Sequence, residues 1–250
     1  MGQAPSFAID PDTPPLTLKE RSLNAVAEFI KSGRARRIVV MTGAGISTAA
    51  GIPDFRSPDT GLYSNLMDLD LPEPEAIFDI EYFRTNPKPF YVLAKELYPG
   101  RYHPTISHVF ISLLGRKGLL HMLFTQNIDC LERAAGIPPE LIVEAHGSFA
   151  TQRCIVCKAP FDDVKMKEFV SQAKVPHCEE EGCNGLVKPD ITFFGEALPR
   201  KFYENIDYAR TADLVIVMVG NFGSRADDVM LLMDCDKGVR DLANALGVEG

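Results

Sequence analysis

The sequence predicts an α/β fold: a doubly wound parallel sheet, Rossmann-like and shortened near its C-terminus, with a small zinc-binding domain inserted. Three observations predict it. Short β-branched runs without polar alternation recur along the chain, as strands buried on both faces do. Stretches with helical apolar spacing separate them. Paired cysteines interrupt the alternation at the spacing of metal knuckles.

Residues 1–16 form a proline-rich tail containing Asp10 and Asp12 and no apolar stretch of the signal-peptide kind. Gly2 with Ser6 also fits an N-myristoylation pattern, against the plainer reading of a solvated tail. Thr17 and Glu20 have the spacing of a capping box. Leu23, Val26, Ala27 and Ile30 then mark one apolar helical face, which Gly33 ends. The first strand is Ile38-Val39-Val40-Met41; later strands are expected at Leu119 to Phe124, Leu141 to Val143 and Leu214 to Met218. Helices are expected at Ile106 to Leu114, Met166 to Gln172 and Val239 to Leu246.

The 250 residues are 46% hydrophobic and 24% charged, the balance of a globular chain with a sizeable core. Lys plus Arg number 26 against 34 Asp plus Glu, a net charge of −8. Direct nucleic-acid binding and a membrane partner are therefore not expected, whereas a basic peptide is electrostatically welcome. The longest apolar run, Leu214 to Val219, falls far short of the ~18 residues that a membrane-spanning helix needs. Six cysteines are too few for a disulfide scaffold and point to a reducing compartment, the cytoplasm or nucleus.

In parallel sheets ligands sit beyond the carboxyl ends of the strands, so the turns there are where chemistry is expected. After the first strand come Gly43, Ala44, Gly45, Ile46, Ser47 and Thr48, a phosphate-cradling pattern in which Thr48 replaces the third glycine. A plain tight turn reads equally well. No acidic residue closes a second strand about twenty residues on, where a nicotinamide dehydrogenase keeps its ribose-binding carboxylate. Asp54, Phe55 and Arg56 then set an acceptor, an aromatic face and a bidentate cation beside the same mouth, or form a polar loop with one buried Phe.

Gln126, Asn127, Ile128 and Asp129 end the next strand with groups suited to a ribose or carboxamide, or to helix capping. His146 lies just past Leu141 to Val143, where an imidazole can take a proton at neutral pH. His103, His108, His121 and His177 have no role at this level. Cys154, Cys157, Cys178 and Cys183 form two knuckles of a closed four-thiolate site for structural zinc, with His177 as a substitute ligand. Cys130 reads as a small core residue.

Together, GAGIST, GIPDFRS, TQNID, EAHGS, the paired cysteines and Val187 to Glu196 resemble the sirtuins, NAD-dependent protein-lysine deacylases, and most closely the fungal cytosolic and nuclear deacetylases. The resemblance runs from about Val26 to Met218 and resumes near the C-terminus. It implies an NAD-binding Rossmann-like domain of residues 17–57, 103–150 and 188–250, a helical insertion at 58–102 and a zinc domain at 151–187. It implies that the acyl-lysine carbonyl attacks the ribose carbon bearing nicotinamide, with His146 the general base and Asn127 its catalytic neighbour. NAD is then consumed as a co-substrate, the acetyl group moves from lysine to ADP-ribose, and nicotinamide leaves. Residues 43–48, 54–56 and 126–129 would line the NAD site, with Cys235 at its adenine end. Phe193, Phe194, Gly195 and Glu196 would present an edge to the peptide, an acetylated protein such as a histone-like tail.

The chain departs from the family after Met218. It passes directly to Val219-Gly220-Asn221-Phe222, and about thirty residues, one strand-helix-strand crossover, are missing. The loss is expected to weaken the grip on adenosine and to leave a raw apolar edge. The alternative reading is therefore a catalytically impaired module that keeps the zinc domain and the peptide edge.

Overall fold

The computed structural model describes residues 13–52, 71–218 and 227–248. The Gly2 pattern, Asp54 to Arg56 and the junction after Met218 lie outside them.

Four runs of aliphatic residues form one parallel sheet: β1 (Ile38–Thr42), β2 (Leu120–Thr125), β3 (Ile142–Glu144) and β6 (Leu214–Met218), in the order β3-β2-β1-β6. Ile38, Val39 and Val40 are fully buried, because helices cover both faces. One face carries α1 (Leu23–Lys31), α4 (Ile106–Arg116) and α9 (Cys235–Leu246), packed on Ile38, Val40 and Leu123. The other carries α7 (Arg200–Asn205) and α8 (Tyr208–Thr211); Phe202 of α7, Ala209 of α8 and Ile206 between them meet Val39, Met122 and Val143. These two short helices have no apolar periodicity that the sequence reading could use.

The predicted strands match within a residue, but three helix starts differ. Ser22, not Thr17, caps α1: its hydroxyl accepts from the Ala25 N–H at 3.1 Å. The Thr17 N–H instead donates to Asp227 at 2.8 Å, a tertiary contact that overrides the local capping pattern. Helix α9 starts at Cys235, earlier than Val239, because Asp234 caps it. Helix α6 (Asp163–Ser171) starts earlier than Met166 for the same reason, with Asp162 as cap.

The two insertions share one core. Helices α2 (Ile80–Thr85) and α3 (Lys88–Leu97) pack with α6 and with the antiparallel pair β4 (Gln152–Cys154) and β5 (Val187–Pro189). Phe78, Phe83, Phe90 and Phe193 meet edge-on at its centre, with ring centroids 5.0 to 6.1 Å apart. The buried Tyr91 hydroxyl donates to the Val187 carbonyl at 2.5 Å, tying helix α3 to strand β5.

Among the described residues β6 is the sheet's edge strand, and Val215 is 38% exposed on it. Leu232, just before α9, is 80% exposed. No helix of the described residues is long and apolar enough to cross a membrane.

Candidate active site

The parallel register aligns the strand ends at one rim. Thr42 lies opposite both Thr125 and Met218, and Thr125 lies opposite Glu144. The segments that follow, from Gly43, Gln126 and Ala145, therefore emerge side by side. The Gln126 N–H donates to the Thr42 carbonyl at 3.0 Å and the Ala145 N–H to the Thr125 carbonyl at 2.8 Å, so the ladder continues into these turns.

The glycine pair leads into two successive 3-10 turns, Ala44–Ile46 and Thr48–Ala50. Gly51, in the left-handed region at φ 88°, ends them before an α-helix can propagate. Gly45 is close-packed: a Cβ there would lie 3.7 Å from the Cys235 sulfur and 3.9 Å from the Met218 carbonyl oxygen. The structure thus brings Cys235, distant in sequence, beside the glycine turn.

Asn127 is buried, and its Nδ2 donates to the Gly43 carbonyl at 3.1 Å and to Ser47 Oγ at 3.2 Å. The Ser47 hydroxyl donates to Asp129 Oδ2 at 2.7 Å, while Asp129 Oδ1 accepts from the Leu131 N–H at 2.9 Å. Four of the residues singled out from sequence, Gly43, Ser47, Asn127 and Asp129, therefore form one hydrogen-bonded cluster. Ile128 is buried beneath them and Gln126 is exposed at the rim.

His146 stands exposed at the same rim, its Nδ1 3.0 Å from the Gln126 carbonyl oxygen. A carbonyl only accepts, so Nδ1 carries the hydrogen and Nε2 keeps its lone pair. The imidazole is thus set as a proton acceptor. Gly147 follows at φ 65° with its N–H on the Glu144 carbonyl, and the Thr192 N–H donates to the His146 carbonyl at 2.8 Å. Helix α5 (Leu131–Ala134) braces this turn: Arg133 makes a bidentate pair with Glu144, both contacts at 2.8 Å.

The Phe193 to Glu196 segment is firmly held. The Phe194 N–H donates to the Phe78 carbonyl at 2.7 Å, and its carbonyl accepts from the Ile80 N–H at 3.2 Å. Glu196 accepts from the Phe193 N–H at 2.9 Å and from the buried Lys188 ammonium at 3.0 Å. Lys188 also lies 4.3 Å over the Phe193 ring. Burial lowers its pKa, and Glu196 opposes that shift.

In the second lobe the sulfurs of Cys154, Cys157, Cys178 and Cys183 all lie within 4.8 Å of one another. Cys154 and Cys183 are 3.6 Å apart and Cys157 and Cys178 3.5 Å. Disulfides need about 2.05 Å, whereas four thiolates around zinc at about 2.3 Å put sulfurs about 3.8 Å apart. The donor set fits structural zinc. Gly185 allows the close approach, since a Cβ there would meet Cys154 Sγ at 2.8 Å. His177 Nδ1 sits 3.1 Å from the Asn184 carbonyl oxygen, outside this cluster. Cys130 is buried, as a core residue should be, and burial pushes its thiol up to about 12.

Comparison with known proteins is decisive at this point: residues 43–223 match the model of the Sir2 family. The chain belongs to the Sir2 family. Its relatives include the NAD-dependent protein deacetylase hst2-1 of Emericella nidulans, 56% identical over 278 aligned positions covering all of this chain and 76% of that protein. The NAD-dependent protein deacetylase hst2 of Schizosaccharomyces pombe is 45% identical over 257 positions, 91% of this chain and 77% of that protein. Mouse NAD-dependent protein deacetylase sirtuin-3 is 52% identical over 200 positions, 80% of this chain and 59% of that protein.

The alignment lengths record a difference. With 278 positions against 250 residues, at least 28 positions of the Emericella protein have no counterpart in this chain. The sirtuin-3 alignment spans 200 positions and 80% of 250 residues, so it carries essentially no net gap. The difference in length is of the order of one strand-helix-strand crossover.

His108 and Glu132 are buried neighbours of this cluster that the sequence reading missed. Both are buried behind Asp129, and the only advance signal was the Thr105-x-x-His108 spacing at the start of α4.

Proposed function

We propose that this Sir2 protein is an NAD-dependent protein-lysine deacetylase, transferring acetyl from lysine to ADP-ribose with release of nicotinamide. The observation that carries the reading is the His146 imidazole, held by the Gln126 carbonyl with Nε2 free, at the same rim as the Gly43, Ser47, Asn127 and Asp129 cluster. NAD, the co-substrate, supplies a ribose carbon made electrophilic by its nicotinamide. His146 Nε2 accepts the proton of a ribose hydroxyl. Asn127 and Asp129 orient the ribose and nicotinamide side. Residues 43–48 and Cys235 face the phosphates and adenine; Asp54, Phe55 and Arg56, outside the described residues, are assigned to the same site on the sequence resemblance alone. The four cysteines would hold zinc, whose closed thiolate shell would leave no position for substrate chemistry.

An acetylated protein or peptide is the second substrate, and the net charge of −8 favours basic, histone-like tails. Phe193 and Phe194 already use their main-chain groups internally, and the Glu196 N–H donates to the Phe193 carbonyl, so a peptide strand would pair with Gly195 and the Glu196 carbonyl. Action in the cytoplasm and nucleus, including transcription regulation, and no direct contact with nucleic acid follow from the same reading. The impaired-module alternative finds no support among the three relatives described above, each of which is named as a deacetylase.

Chromatography of products tests the activity. The chain, NAD and an acetyl-lysine peptide are expected to give one nicotinamide per lysine freed, and neither product without the other substrate. Deacetylation that proceeds without NAD, or no nicotinamide at all, would overturn the proposal.

A further inference from the structure

Behind Asp129 lies a second polar cluster that the proposed chemistry does not use. His108 Nε2 and Glu132 Oε1 are both buried without a hydrogen-bond partner, and a His108 nitrogen and the Asp129 and Glu132 carboxylates lie within 4.8 Å of one another. His108 is fully buried and Glu132 is 1% exposed. Ser112, one helical turn beyond His108 on α4, also has a buried hydroxyl without a partner. Buried polar groups left unmatched are costly, and the usual remedy is an internal water making about three hydrogen bonds.

His108 Nδ1 lies 3.2 Å from the Thr105 nitrogen and 2.8 Å from the Thr105 hydroxyl oxygen, which itself donates to the Ile46 carbonyl at 2.9 Å, so these contacts suit either tautomer of the neutral ring. Asp129 already accepts from Ser47 and Leu131, whereas Glu132 Oε1 accepts from nothing. A proton shared between the two carboxyls therefore belongs on Glu132.

We infer that His108, Glu132 and Asp129, bridged by one internal water, form a buried positioning cluster with Glu132 held as the neutral acid. Its work is to fix the Asp129 carboxylate toward Ser47 and hence the glycine turn. Glu132 is a positioning residue, since Asp129 and Ser47 stand between it and the ligand. The kinetic part of this inference rests on the proposed NAD-dependent activity; the protonation part does not. The groups facing Glu132 are Asp129 beside it, Thr125 on β2 and Glu144 on β3; those facing His108 are Asp129 and Asp236 on α9. Burial, reinforced by Asp129, pushes Glu132 from its ordinary 4.5 up to about 8. Burial lowers His108, which keeps it neutral.

Infrared difference spectra of the unliganded protein between pH 7 and pH 9.5 test the protonation directly. The wild type is expected to lose the carbonyl stretch of a protonated carboxyl across this range, and Glu132→Gln to show no such loss. Absence of that band in the wild type at pH 7 overturns the inference, whether or not the variant folds and whether or not the chain deacetylates. In the activity assay at pH 7, Glu132→Gln should keep KM for NAD within about twofold, while Glu132→Ala raises it on the order of tenfold or more with a smaller change in kcat. The wild-type KM should climb above pH 8 and that of Glu132→Gln should not. The same climb in both proteins assigns the titration to another group and overturns the positioning role.

Discussion

Replacing His146 by alanine is expected to lower turnover on the order of 10²- to 10⁴-fold while leaving NAD binding nearly unchanged. The expectation rests on geometry. His146 Nδ1 is committed to the Gln126 carbonyl at 3.0 Å, so Nε2 is the one ring nitrogen able to accept a proton. The side chain is exposed at the rim and packs into no core, so its removal should leave the fold intact. Steady-state rates of nicotinamide release, with the thermal midpoint as a control, check this. An unchanged rate would show that the proton leaves by another path. A large fall in the thermal midpoint would show that the imidazole is structural.

Gly147→Ala is expected to be the most damaging of the small substitutions. An added Cβ would lie 1.8 Å from the Asp190 carbonyl oxygen and 2.8 Å from its carbon, with the backbone at φ 65°. Backbone cannot swing aside as a side chain can. The clash falls where the sheet rim meets the second lobe, next to the bond from the Thr192 N–H to the His146 carbonyl. A loss of about 4 kcal/mol or more, or failure to fold, is expected. Gly136 is the control: its φ is 83°, but a Cβ there would meet nothing within 4 Å. Gly136→Ala should therefore show only the conformational penalty, about 1 kcal/mol. Urea midpoints of both variants decide the matter; equal losses would mean that φ alone matters and that the contact between rim and lobe is loose.

The contrast between these glycines also marks what a sequence can disclose. Strands β1, β2, β3 and β6 were legible because a run such as Ile38-Val39-Val40 has no polar face to show water. The four cysteines were legible because zinc fixes their local spacing. Asn127 and His146 were legible from their address at strand ends. Glu132 was not: in Leu131-Glu132-Arg133-Ala134 it reads as an ordinary surface charge, and only the packing of α5 against α4 and β2 buries it. Nor could the sequence tell that Phe78, Phe83 and Phe90 of one insertion would meet Phe193 beside the other, since aromatic richness names no partner. The α1 cap was misread because Thr17 is taken by Asp227, 210 residues away.

The central claim is that segments from three parallel strand ends, joined by Cys235 of α9, converge on one dinucleotide. Isothermal titration of NAD into the wild type and into Asn127→Ala tests it most directly, because Asn127 links Gly43 to Ser47 at the centre of that rim. Saturation at one NAD per chain, with affinity at least several-fold weaker in the variant, is the expected result. No saturable heat from the wild type, or equal affinity in the two proteins, would contradict it.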